Sequence, residues 1–278
     1  MDTKKDIVSL SKNPQLKIEN PSHIPSKVQA DTLFNFMQEL KFLITTVKNK
    51  MLSPRYCEED IRYLNIKGLE RLAIPMKCFC DINLHKINEH LEWYGYYGIA
   101  FSKEWGMKQG IQPIQYINPN SNLCKDFSQA FSSALTIKSK KQTKAVKQMK
   151  NFMLHEIMFY KPYSGVMKRN NEQTQEKCFT DECEWRFVPD VTICNFAQVI
   201  HNENIFNAGI LREMSDSMCG LSEISLKFEY EDIKYIIIKT NEDFIKFTEE
   251  IKNMKLTDLQ AYELVSKIIV WDNAKGDF

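Results

Sequence analysis

The chain has 278 residues, 43% of them hydrophobic, and a formal net charge of +1. That length allows one large domain or two small ones with a real core, and the balanced charge argues against a globally basic nucleic-acid binder. Eight scattered cysteines behind an N-terminus with no apolar signal region fit reduced thiols in a cytoplasm, and no run approaches the ~18 apolar residues that would span a membrane.

Residues 1–30 are polar, carry Pro14, Pro21 and Pro25, and read as an extended lead-in to a single domain over 31–278. Residues 32–36 suit a short buried strand. A helix follows, with Phe36, Leu40, Ile44 and Val47 at helical spacing, and Ser53-Pro54 stops it. Residues 72–80 form the next strand, with Pro75 confining its start to an edge or bulge. Leu84, Ile87 and Leu91 mark a helix over 84–93, and residues 96–101 a strand. One helical turn spans 103–108, closed by Gly110, and 111–117 is another strand. Two helices follow, one through Leu123, Phe127, Phe131 and Leu135, the other through Val146, Met149, Met153 and Ile157 up to Pro162. Residues 164–178 read as a mobile polar loop. Strands return at 183–188, 224–230 and 235–239. Thr240 and Thr257 each cap a helix, because a hydroxyl satisfies the orphan amides of the first turn. A last strand covers 268–271. There is no regular βαβ rhythm, no Gly-rich phosphate loop and no internal repeat, so the expected class is α+β.

The richest stretch is 74–117, with Cys78-Phe79-Cys80-Asp81, the run Trp93-Tyr94-Gly95-Tyr96-Tyr97-Gly98 and the pairs Glu92-Trp93 and Glu104-Trp105. A third Glu-Trp pair is Glu184-Trp185. Aromatic rings beside glycines and lone acids suggest a pocket that stacks on a planar ligand, although most of these rings serve the core by default. In residues 183–188, period-two alternation sets Glu184, Arg186 and Val188 on one face, with Cys183, Trp185 and Phe187 on the core face. Glu184 and Arg186 then form either an ion pair on a solvated sheet face or part of a cleft, where Glu184 grips a ribose hydroxyl and steadies an oxocarbenium-like charge. Arg55-Tyr56 reads as a surface loop turn, or as a place to hold a phosphate and stack a ring.

Cys78, Cys80, His85 and His90 have the residue types of a zinc site but not its spacing, so buried thiols are the expected role. Lys138, Lys140, Lys141, Lys144, Lys147 and Lys150 form a solvated helix face, or a local patch for nucleic acid or another acidic partner.

The segments LFNFM, SPRYCEED, IPMKCFCDI, YGYYGIAFSKEWG, QPIQYI and ECEWRF, in that order, resemble the AbiGi family of bacterial abortive-infection proteins, over about residues 32–190. The resemblance implies phage defence as half of a toxin–antitoxin-type pair, with a cognate toxin or antitoxin as partner. The layout is also similar to DarT-type ADP-ribosyltransferases, which implies a mixed split sheet around a cleft, with NAD as substrate and a protein or nucleic acid as target. Carried over, Glu184 matches the late catalytic acid. Asn35 and Met37 stand where a His and a Thr would be, so the pocket departs from that pattern. On this reading Asn35, Arg55, Tyr56, Tyr97 and Arg186 hold NAD and no metal is used. The competing reading is a non-enzymatic antitoxin or interaction module with a decayed NAD pocket.

Overall fold

Apolar side chains on both faces draw Thr32–Met37 into strand β1, which is buried almost throughout. The computed structural model describes residues 24–26, 28–137, 143–168, 174–201 and 206–277, so most of the expected lead-in lies outside the described residues. Helix α1, Leu40–Asn49, follows β1 and buries Leu43 and Val47. Strands β2, Met51–Leu52, and β3, Arg55–Asp60, come next. The surface turn expected at Arg55-Tyr56 is therefore strand, paired along its length with β4, Arg71–Cys80. Pro75 sits in β4 opposite Tyr56; its other edge is unpaired between the Ala73–Ile200 bridge and Lys77, where a missing N–H costs no ladder bond.

The helix expected over 84–93 is a 3-10 turn, Leu84–Lys86, and then α2, Asn88–Tyr94. Gly95 ends it at φ +112°, where a Cβ would lie 2.1 Å from the Met37 carbonyl oxygen. Strand β5, Tyr97–Ser102, leads into α3, Lys103–Lys108, whose Trp105 amide donates to the Ser102 hydroxyl cap. The strand expected over 111–117 is broken. β6, Gln112–Pro113, joins β11 of the main sheet, whereas β7, Gln115–Ile117, pairs in parallel with β8, Tyr160–Pro162. Between them the Ile114 amide still donates to Glu184 O.

Helices α4, Asn122–Thr136, and α5, Lys144–Met158, form where expected; Phe131, Met153 and Ile157 of the expected stripes are buried, whereas Leu123, Leu135 and Met149 are exposed. The loop expected over 164–178 is instead a hairpin of β9, Ser164–Lys168, and β10, Thr174–Cys178, with 169–173 outside the described residues. Strand β11 is Glu184–Phe187, and α6, Ala208–Ser217, has no counterpart in the sequence reading. The strand expected over 224–230 shrinks to β12, Leu226–Lys227, because a 3-10 turn at Tyr230–Asp232 ends extension. β13, Ile233–Ile238, α7, Asn241–Asn253, and α8, Asp258–Ser266, follow, with Thr240 and Thr257 capping the helices as expected. The chain closes with β14, Ile268–Val270, and α9, Trp271–Ala274.

The class is α+β with a mixed eight-stranded sheet, ordered β14-β13-β5-β1-β4-β11-β6, with β3 also on β4. Only β13 and β14 run parallel within it. β5 pairs with β1 at six positions, but β1 meets β4 at a single one, Phe34 opposite Cys80. Beyond that point Asn35 fills the gap, its Nδ2 donating to the Cys78 carbonyl at 2.8 Å. The sheet is thus two halves joined at one residue pair. One half packs Leu33, Ile99, Phe101, Ile236 and Ile238 beneath α1, α7 and α8. The other lays Leu72, Ile74 and Met76 against α4 and α5.

Candidate functional site

A cavity of about 1030 Å³ opens where the two halves meet. Its floor is β1, β3, β4 and β11. Its walls come from α2 through His90 and Tyr94, from Tyr63 and Arg71, and from the β9–β10 hairpin and Phe179. Alternation along β11 turns Glu184 and Arg186 to the cavity side of the sheet, and both are buried, Arg186 completely. Trp185 and Phe187, expected as the more buried face, are only half-buried against the apolar core. The charged face lies deeper because α5 and β8 cover it, as the Arg186 bond to Met158 and the Lys161 bond to Glu184 show.

That burial is tolerated because the charges are matched. Arg186 donates from Nε to Glu184 Oε1 at 2.7 Å, from Nη2 to Glu59 Oε1 at 2.7 Å, and from Nη1 to the Met158 carbonyl at 2.7 Å. Lys161 of β8 donates to Glu184 Oε2 at 2.9 Å and to Glu182 Oε2 at 2.6 Å. Lys177 of β10 lies 3.0 Å from Glu182 Oε1, which also accepts from the Tyr94 hydroxyl. Three carboxylates thus face three cations in one network, the arrangement buried charges require.

Burial alone would push the Glu184 carboxyl up, but Arg186 and Lys161 outweigh it and hold the group well below the ordinary carboxylate range. Lys161 and Lys177 do the same for Glu182 against the pull of burial. Glu59 goes the other way: burial exceeds the help of Arg186 and Lys161, and its carboxyl is raised. Burial lowers His90 to about 4, so its imidazole is neutral at pH 7.

Three polar atoms of the lining have no hydrogen-bond partner although they are buried: Asn35 Oδ1, Tyr63 OH and His90 Nε2. Buried polar atoms are normally satisfied, and two further such atoms among the described residues, Asp81 Oδ1 and Trp105 Nε1, lie outside the lining.

The structure brings Glu184 and Asn35 together in this lining and sets Arg186 directly behind Glu184. It does not bring the other expected residues there. Arg55 is at the surface, 2.9 Å from Asp216. Tyr56 points to the opposite sheet face, its hydroxyl donating to the Ala197 carbonyl at 2.6 Å. Tyr97 packs by α7 and hydrogen-bonds Asp243 at 3.0 Å. Tyr56 is one residue away from the parity of Cys57 and Glu59, which do line the cavity; Arg55 has that parity but lies at the start of β3, outside the lining. Glu59, Tyr63, His90, Lys161 and Glu182 were not singled out as ligand-facing. Glu59 lies in the SPRYCEED segment, which was the one available signal; the rest come from separate elements.

All eight cysteines are free. Cys57, Cys78 and Cys80 line the cavity, where burial pushes the Cys80 thiol well up. Among the described residues no three His, Cys, Asp or Glu side chains are placed to hold a metal ion. Lys144 and Lys147 are exposed on α5, and Lys150 donates to the Ile137 carbonyl at 3.3 Å; Lys138, Lys140 and Lys141 lie outside the described residues. No described helix is long and apolar enough to cross a membrane.

The model of the AbiGi family, abortive phage resistance proteins described as antitoxins, matches residues 49–239. The chain belongs to the AbiGi family. An abortive phage resistance protein AbiGi from Lactococcus lactis subsp. cremoris is 31% identical over 245 residues, covering 81% of this chain and 98% of that relative. No solved structure matches the chain. The AbiGi match spans β3, β4 and β11 and so contains most of the cavity, but begins after β1 and Asn35.

Proposed function

We propose that this AbiGi chain is the antitoxin of a phage-resistance pair, acting in the cytoplasm by binding a cognate toxin without catalysing a reaction. The observation that carries this reading is the state of Glu184. Both of its oxygens are engaged, one by Arg186 and one by Lys161 and Arg186, inside a charge-balanced network. A carboxylate neutralised by two cations has little field left for a developing ribosyl cation, because catalytic stabilisation needs an anion aimed at where positive charge appears. The network suits a structural role, holding β3, β8 and β11 in register.

A second reading is supported by the junction of the two sheet halves, where Asn35 and Glu184 line one cavity. On it the chain is an ADP-ribosyltransferase-like protein that cleaves NAD and transfers the ribosyl group to a protein or nucleic acid. Asn35 would hold the amide or ribose of NAD and Glu184 would steady the cationic centre. The cavity is large enough for NAD, but its lining cations, Lys161, Arg62 and Arg71, are each already paired with a carboxylate, which leaves the diphosphate poorly matched.

Two assays separate the readings. Expressed with the toxin encoded beside it, the chain should restore growth, and Glu184→Gln should do so equally wherever it folds. Incubation with labelled NAD and infected-cell lysate should leave NAD intact. NAD consumption that falls by roughly a hundredfold in a folded Glu184→Gln would establish the transferase instead.

A further inference from the structure

The cavity is more specific than its size suggests. Its inner end carries Glu59, Glu182 and Glu184, balanced by Lys161, Lys177 and Arg186. A cationic ligand would find carboxylates already neutralised, and an anionic ligand would find no cation to accept it there. At the rim, Arg62 is paired with Asp60 and Arg71 with Glu58. What the inner end lacks is hydrogen bonds. Asn35 Oδ1 needs a donor, the Tyr63 hydroxyl offers one, and the neutral His90 ring can do either at Nε2. Asn35 and His90 are 6% and 5% exposed, so bulk water does not serve them. Aromatic rings also line the cavity: Phe36, from the other side of β1 to Asn35, with Tyr94 and Phe179; Phe34 lies behind Phe36, stacked between it and Tyr235.

We infer that the cavity binds an uncharged nucleobase, inserted against these rings and hydrogen-bonded to Asn35, Tyr63 and His90. The demand is for a flat ring bearing both donors and acceptors on its edge and no charge, which is the chemistry of a base and of neither a phosphate nor an amine. The base can arrive as a free nucleoside or as an unpaired base of a single-stranded nucleic acid. A phosphate attached to it gains nothing at the inner end. The inference is independent of whether the chain neutralises a toxin.

The test is calorimetric titration of the full chain with adenosine, guanosine, cytidine and uridine, then with AMP, NAD, agmatine and short single-stranded DNA and RNA. At least one nucleoside should bind, and its 5′-phosphate should bind no tighter. Asn35→Leu removes the orphan acceptor and should weaken binding about tenfold or more. Should that variant fail to fold, Phe36→Leu removes a stacking face instead and should weaken it about fivefold or more. Lys246→Gln, on the exposed face of α7 and outside the lining, should leave nucleoside affinity unchanged. Tight binding by an oligonucleotide, lost in the same variants, would assign the base to a nucleic acid; binding by the nucleoside alone would assign a free ligand. Binding of none of the panel, agmatine outcompeting every nucleoside, or a tenfold gain from the 5′-phosphate would each overturn the inference. A chain that binds a nucleoside but fails to restore growth would lose the antitoxin reading and keep this one; the reverse result would do the opposite.

Discussion

The two halves of the sheet solve the same burial problem in opposite ways. Around β5 and β13 the interior is aliphatic and aromatic, with Ile99, Phe101, Ile236 and Ile238 fully buried. Around β11 the interior is ionic, with Arg186 as enclosed as any phenylalanine of the other half. Apolar burial stabilises by removing area from water, whatever the pH. Ionic burial repays its desolvation only while every partner is present and correctly charged. The second half therefore holds its geometry more conditionally, and it is the half that builds most of the cavity.

The largest expected effect breaks the ionic half directly. Arg186→Met leaves Glu59 without its cation and Glu184 with Lys161 alone, and should cost about 3–5 kcal/mol in denaturant unfolding. Adding Glu59→Gln and Glu184→Gln should recover much of that loss, since the penalty is that of stranded charge. A loss below about 1 kcal/mol for the single variant would mean that water reaches the network and that the contrast between the halves is false.

Next comes the response to acid. His90 is lowered by burial to about 4, against roughly 6.5 in the unfolded chain. A depressed folded value means that the neutral ring favours the folded state above pH ~6.5, and that this contribution is lost as pH falls towards 4. The difference amounts to roughly 3 kcal/mol. Glu182 and Glu184, held low, keep their contribution above the ordinary carboxylate value and lose it only at lower pH. Glu59, raised by burial, acts in the opposite sense, losing stability as pH rises through its folded value. His90→Gln should therefore flatten the fall in melting temperature between pH 6.5 and 4 and leave the steeper fall below it. An unchanged slope would place the imidazole in contact with water.

This contrast also governs what could be read from the sequence. Strands β1, β4 and β5 and the caps Thr240 and Thr257 are legible because they depend on local alternation and on a hydroxyl beside its own helix. The ionic half was partly legible: the alternation in β11 correctly placed Glu184 and Arg186 on one face. Which face is deeper was not, because period two gives sides without saying what covers them. Lys161, which decides it, is 23 residues from Glu184 in β8. The hairpin over 164–178 escaped because its strands are polar and their pairing is not written in an apolar pattern. Arg55, Tyr56 and Tyr97 were assigned by residue type, which fixes neither direction nor place along a strand; for Tyr56 strand parity decides, and Arg55 lies too early in β3.

A smaller effect calibrates the apolar half. Ile236→Val removes one buried methylene from β13 and should cost about 0.5–1.5 kcal/mol, with the same value at pH 5 and pH 7. A marked pH dependence would show that the halves are coupled through the single Phe34–Cys80 pairing more tightly than one residue pair should allow.

The smallest effect lies at the cavity rim. Arg71 and Glu58 pair at 2.8 Å across β4 and β3, much as Arg186 and Glu59 do, but with side chains 47% and 44% exposed. In water the Coulomb attraction is screened, and ordering two long side chains opposes it. Arg71→Gln should therefore change stability by at most about 0.5 kcal/mol, and raising salt to 1 M should erase even that. The guanidinium also lies 4.9 Å from the centre of the Phe206 ring, so a larger, salt-resistant loss is the informative alternative. It would identify the stack on Phe206, rather than the ion pair, as what Arg71 contributes. The same chemical pair, about as close in both places, would then matter at the inner end through charge and at the rim through packing.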